Sequence, residues 1–154
     1  MENINLLPEL ESASVAINAL DDNPDLRSPH LYNALSLLHE SLGKDSWVGL
    51  YIEKNGRLLL GPFQGTPACE KIAFGKGVVG ACHAQKKTIA VEDVMKFPGY
   101  ICCDAKAASE ICIPLFRDGA AYAILDIDLP YIHAFRDEEI MQFEKIAGDL
   151  QRLL

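Results

Sequence analysis

The chain reads as an α+β layered domain built on a mainly antiparallel sheet, and three observations lead there. Asn55-Gly56 and Asp118-Gly119 are hairpin turn signals, each set between apolar strand-like runs. Apolar residues recur at helical spacing in long segments at both ends of the chain. Between those ends hairpins dominate, with a single short helical stretch, so the terminal helices should cover one face of the sheet and the middle of the chain the other. The 154 residues fit one domain, with helices over 1–43 and a core over 44–154, and half of them are hydrophobic, as in a globular protein. There is no internal repeat, low-complexity tract or linker.

The elements follow in order. Leu6 to Leu20 is an amphipathic helix ended by Asp21-Asp-Asn-Pro24. Ser28-Pro29 reads as N-cap and first position of a second helix, which runs to Leu42 and stops at Gly43. Ser46 to Glu53 is a strand, and Arg57 to Leu60 is its hairpin partner. Gly61-Pro-Phe-Gln-Gly65 should then break the strand, with two glycines giving backbone freedom. Gly75-Lys-Gly77 precedes a short helix over Val78 to Gln85, and Thr88 to Val91 is a strand. Val94 to Ala108, with Pro98-Gly99, has no period and reads as a long loop, the kind of segment that carries function. Glu110 to Phe116 and Ala120 to Leu129 form a second hairpin. Phe135 to Leu154 closes the chain as a helix with Asp137 as N-cap.

Composition excludes several functions. A net charge of -8 argues against a nucleic-acid surface and against anionic lipid. No run of apolar residues is long enough to span a membrane, and the N-terminal residues lack the basic flank and apolar core of a secretory signal, which points to the cytoplasm. The five cysteines are odd in number and unsuited to a permanent disulfide framework in a reducing compartment. Neither they nor the four scattered histidines have zinc-ligand spacing, so no metal is expected.

The residues that invite chemistry are thiols and acids. Asp126 and Asp128 interrupt an apolar strand and alternate onto one face. Either they meet a partner and shift their pKa values, or that face is solvated; pattern alone supports both. Glu110 begins the neighbouring strand and can converge with them. Such a trio can bind an ammonium group, and a protonated member can serve a leaving oxygen. Cys102 and Cys103 are adjacent in the long loop. They are a strained vicinal pair, or a buried cysteine beside a chance neighbour. Nearby acids would raise a thiol pKa there unless a hydrogen bond or cation compensates. Whether Cys69 reaches the same loop is open, and Cys82 and Cys112 read as core. Trp47 and Tyr51 share a face, as core or as one side of a ligand box. Gly75-Lys-Gly77 at a helix start can offer free amides to an anion.

Taken together, Trp47-Val-Gly-Leu-Tyr51, Gly61-Pro-Phe-Gln-Gly65 with Ala68-Cys69, Gly75-Lys-Gly-Val-Val-Gly80, Gly99 to Asp104, Ser109-Glu110-Ile111 and Leu125-Asp-Ile-Asp128 resemble, in order and spacing, the free methionine-R-sulfoxide reductases. These are single GAF-domain enzymes, and the resemblance covers Ser46 to the end. It implies a six-stranded antiparallel sheet with helices on both faces. It implies reduction of free methionine-R-sulfoxide to methionine, with no bound cofactor and with thioredoxin as reductant. On the same grounds Cys103 corresponds to the nucleophile and Cys69 to the resolving cysteine. Glu110, Asp126 and Asp128 correspond to the acids that hold the substrate amino group and assist oxygen protonation. Trp47, Tyr51 and Ile101 correspond to the pocket.

Two departures stand out. Val79 occupies the place of the family's usual third cysteine, and Tyr100-Ile-Cys102 stands where the family usually has His-Ile-Ala. Cys69 would then resolve alone, unless Cys82 or Cys102 substitutes. The competing expectation is a non-catalytic GAF module that binds a small ligand as a redox sensor. The N-terminal helices are candidates for a homodimer contact.

Overall fold

The computed structural model describes residues 3–154. Its elements are α1 (Leu7–Asn18), α2 (Arg27–Leu42), β1 (Trp47–Lys54), β2 (Arg57–Gln64), β3 (Lys71–Ala73), α3 (Gly77–Gln85), β4 (Ile89–Val91), β5 (Ser109–Arg117), β6 (Ala120–Leu129) and α4 (Asp137–Gln151). The six strands form one sheet in the order β3-β2-β1-β6-β5-β4, and every neighbouring pair is antiparallel. Among the described residues no helix is long and apolar enough to cross a membrane.

Alternation along the central strands sorts their side chains into two cores. Val48 and Leu50 of β1, Ile111, Ile113 and Leu115 of β5, and Ala123, Leu125, Ile127 and Leu129 of β6 face α1, α2 and α4. Trp47, Tyr51, Cys112 and Ile124 face the opposite way, toward Val78, Val79 and Cys82 of α3 and Val94 of the long loop. The expected layering therefore holds. Both hairpin turns place two consecutive residues at positive φ, Asn55-Gly56 at 54° and 76° and Asp118-Gly119 at 51° and 78°, the backbone that matches the twist of the flanking strands.

Four expectations need correction. Strand β2 does not stop at Leu60. Gly49 pairs with Phe63 and Tyr51 with Leu60, so Gly61 and Pro62 together oppose Leu50. This is a bulge, one of the few places where a strand accommodates proline, and β3 pairs only with Arg57–Leu59, which leaves Pro62 on the open side. Strand β3 escaped notice because three residues hold too little pattern. Helix α2 begins at Arg27 and not after Ser28. Asn23 accepts from the Asp25 amide and starts a 3-10 turn, Pro24–Leu26, that feeds straight into the helix, and Pro29 is tolerated in the first turn, where an amide has no partner to lose. Helix α4 takes Arg136 as its N-cap, with Asp137 its first residue.

The start of α4 is also where the two ends of the chain are tied. Glu139 is fully buried. One oxygen accepts from the Leu6 amide at 3.0 Å and from Arg136 Nη2 at 3.0 Å. The other accepts from His133 Nε2 at 2.9 Å and the Arg136 amide at 3.1 Å. A carboxylate only accepts, so Nε2 carries the imidazole proton. Burial alone would raise the Glu139 pKa, but the Leu6 and Arg136 amides, His133 and the Arg136 guanidinium together hold it below the usual range. Removing the carboxylate as Glu139→Ala strands these donors and should lower the unfolding free energy by about 3 kcal/mol. Because the folded pKa is depressed, the stabilisation exists above the unfolded carboxylate pKa and is lost as pH falls through the folded one. Urea unfolding at pH values falling below 4.5 should show that loss in the wild type and a shallower one in Glu139→Gln.

Candidate active site

On the face of the sheet opposite the long helices, three acids meet. Glu110 of β5 pairs in register with Asp128 of β6, and Cys112 with Asp126. From the other side Trp47 of β1 pairs with Asp128 and Gly49 with Asp126. The carboxyls are in the middle of the sheet, and Glu110, Asp126 and Asp128 are only 5%, 5% and 7% exposed. A solvated face is thereby ruled out. Cys112, read above as plain core, sits among them: its Sγ lies 3.2 Å from Glu110 Oε1 and 3.4 Å from Asp126 Oδ1. The signal for it was present in the sequence, since residues 110 and 112 lie two apart in one strand and so share a face.

Burial dominates the electrostatics. It pushes Glu110 up to about 8, with the Asp128 charge adding to the shift and hydrogen bonds with Cys112 and Asp126 opposing it. Asp126 is raised well above the usual range by burial and then by Glu110. Asp128 is raised by burial and then by the Asp126 and Asp104 charges. Three carboxyls this close in a low-dielectric site cannot all ionise, so protons are retained near neutral pH. Among the described residues no hydrogen-bond partner is found for the Asp128 carboxyl. Glu110, Cys112 and Asp126 also bring one ligand atom each within 4.8 Å of one another, the one such group among the described residues. A metal needs its ligands deprotonated, and burial pushes all three the other way.

The sulfurs of Cys69 and Cys103 are joined in a disulfide, with the two Cα atoms 5.2 Å apart. Cys103 lies in the long loop after β4 and Cys69 in the segment between β2 and β3. Cys82 is buried on α3, and burial, reinforced by the Asp126 and Glu110 charges, pushes its thiol up to about 12. Cys102 is exposed, with its Sγ 3.6 Å from the Asp104 carbonyl. Neither takes the place of Cys69 as the partner of Cys103 in this structure.

A narrow recess, with a cavity volume of only about 20 Å³ in this disulfide-linked form, is lined by Glu110, Asp126 and Asp128, by Cys103, Tyr100 and Ile101 of the long loop, and by Lys76 to Val79 at the start of α3. The first amides of α3 have no partner within the helix, and no side chain caps them. The departure at Val79 thus places an apolar residue on the wall. Trp47 and Tyr51 are in the same apolar cluster as Cys69 and Cys103 but do not line the recess in this disulfide-linked form. They anchor the Cys69 segment from below. The Trp47 indole donates to the Thr66 carbonyl at 2.9 Å, and the Tyr51 hydroxyl to the Cys69 carbonyl at 2.9 Å. Gly65, at φ +131°, lies against that indole, and a Cβ there would come within 2.5 Å of Trp47 Cδ1. Ile101, by contrast, is on the recess wall, 37% exposed.

Residues 30–152 match the GAF domain family. The chain is 38% identical over 124 residues to a free methionine-R-sulfoxide reductase of Escherichia coli, an alignment covering 80% of this chain and 75% of that one. It is 37% identical over 153 residues to the protein of the same name from Saccharomyces cerevisiae, covering 94% and 85%. Among solved structures it superposes, with a TM-score of 0.79 and 33% identity, on the free methionine-R-sulfoxide reductase of Neisseria meningitidis in complex with its substrate, over 96% of this chain and 85% of that one.

The raised acids have a consequence for stability. A carboxyl whose folded pKa lies above its unfolded value stabilises the fold below the unfolded pKa and loses that contribution as pH rises to the folded one. For Glu110 the window runs from 4.5 to about 8. Unfolding free energy measured in urea across it should fall with pH in the wild type. Glu110→Gln should remove up to about 1.4 kcal/mol per pH unit of that slope.

Proposed function

Because this chain belongs to the GAF domain family and, within it, to the free methionine-R-sulfoxide reductases, we propose that it reduces free L-methionine-(R)-sulfoxide through Cys103, Cys69 and the buried acids. The observation that carries the reading is the recess itself. One wall holds three carboxyls, another the open N-terminus of α3 beside Lys76, and Cys103 stands at its edge. That polarity is complementary to a free amino acid, with acids for the ammonium and amides for the carboxylate. A methionine inside a peptide chain has neither charged group to offer.

The chemistry follows from these groups. With the disulfide reduced, the Cys103 thiolate attacks the sulfoxide sulfur. Oxide is a poor leaving group, so its oxygen must be protonated. Glu110 and Asp126, adjacent and holding a proton near neutral pH, are suited to supply it. Asp128, with no hydrogen-bond partner among the described residues, is suited to meet the substrate ammonium. Methionine leaves and Cys103 becomes a sulfenic acid. Cys69 condenses with it, releasing water and forming the Cys69–Cys103 disulfide. A thioredoxin dithiol then reduces that disulfide by exchange, so no bound cofactor is needed. Cytoplasmic residence suits such a cycle. Val15 on α1 and Met141 on α4 leave apolar surface on the helical layer, where a second copy would pack.

The test is NADPH consumption with thioredoxin and thioredoxin reductase, on separated R and S forms of free methionine sulfoxide. The wild type should turn over only the R form, and Cys103→Ser neither. Cys69→Ser should release one methionine per chain and stop. Asp128→Asn should raise KM more than it lowers kcat, while Glu110→Gln should do the reverse. No methionine released by the wild type, even in a single turnover, would overturn the reading.

A further inference from the structure

Asp104 follows Cys103 directly and is the fourth acid of this region, yet it does not line the recess. Its side chain is nearly buried, 6% exposed, and is engaged elsewhere. Oδ1 accepts from Thr66 Oγ1 at 3.3 Å and from the Lys106 amide at 3.0 Å. The first bond crosses between the two cysteine-bearing segments. Thr66 is three residues before Cys69, and its carbonyl receives the Trp47 indole N–H. The second bond, with the Ala107 amide on the Asp104 carbonyl at 3.2 Å, curls the chain just after Cys103 into a turn.

We propose that Asp104 is a positioning residue: with Thr66 it forms a non-covalent clasp that keeps Cys69 within reach of Cys103 whenever their disulfide is open. Among the described residues, Thr66–Asp104 is the one side-chain hydrogen bond joining these segments besides the disulfide. The base of the long loop is fixed by the Ala108 amide on the Leu129 carbonyl at 2.8 Å and the Val94 amide on the Ala108 carbonyl at 3.0 Å. Nearer Cys103 there are local bonds, such as the Cys103 amide to the Ile101 carbonyl at 3.1 Å, and an exposed ion pair of Lys106 with Asp45. On reduction the covalent link is lost. A bond that survives then limits the volume the two thiols explore and so raises their effective concentration. The coupling is reciprocal, since the disulfide favours the clasp by the same factor by which the clasp favours the disulfide. The proposal rests on the reductase reading only for the order of steps, because the coupling itself is a property of the fold.

Two measurements separate the clasp from the reductase reading. Equilibration of the Cys69–Cys103 pair with reduced and oxidised glutathione needs no substrate. Thr66→Val, an exposed and nearly isosteric change, should lower the disulfide equilibrium constant about fivefold. Asp104→Ala should do at least as much, and Thr66→Ser should restore the wild-type value. In a single turnover with methionine-R-sulfoxide, Thr66→Val should release methionine at the wild-type rate while the second thiol disappears about fivefold more slowly, leaving a sulfenic acid that dimedone traps. Wild-type equilibrium constants in both Thr66→Val and Asp104→Ala would overturn the clasp. Failure of the wild type to release methionine would instead overturn the reductase reading and leave the glutathione result standing.

Discussion

Strand β6 places apolar side chains against the long helices and two carboxyls on the opposite face, and it does so at the centre of the sheet. Leu125 and Ile127 are fully buried in the helical core. Their neighbours Asp126 and Asp128 are therefore forced onto the other face, between β1 and β5. The hydrophobic demand of one face fixes the register, and a slip of one residue would put aspartates under the helices. The energetic cost of burying acids is reduced because they retain protons. Glu110, Cys112 and Asp126 share hydrogen bonds.

The loops inherit their positions from that arrangement. Trp47 and Tyr51 come from β1, the strand on one side of β6, and hold the carbonyls of Thr66 and Cys69. Asp104, in the loop that leads into β5 on the other side, holds the Thr66 hydroxyl. The two cysteines are thus brought together by segments flanking the same central strand. The long loop carries Cys103, while the sheet-borne anchors Trp47 and Tyr51 hold the segment of Cys69 beside it. The buried Cys112 and Cys82 are unlike that pair: dehydration raises the pKa of both thiols, Cys82 packing in the apolar core beneath α3 and Cys112 lying within hydrogen-bond distance of Glu110 and Asp126.

The sequence by itself determined the order of elements apart from β3, the two hairpins, the layering, and the sharing of one face by Asp126 and Asp128. These follow from periods of two and 3.6 residues and from turns that demand positive φ, all local properties. It also held the motif set that marks the family, because those residues recur at fixed spacing. Legible too, though passed over, was the alignment of Cys112 with Glu110. What only the tertiary structure decided depends on residues far apart in the chain. The bulge at Gly61-Pro62 needs the register against β1. The burial of Asp126 and Asp128 needs α3 and the long loop above them. The pairing of Cys69 with Cys103 joins positions 34 residues apart, and the placement of Trp47 and Tyr51 beneath Cys69 depends on how the segment between β2 and β3 folds back. Periodicity assigns a side chain to a face; whether that face is wet, and what stands opposite, is set by long-range packing.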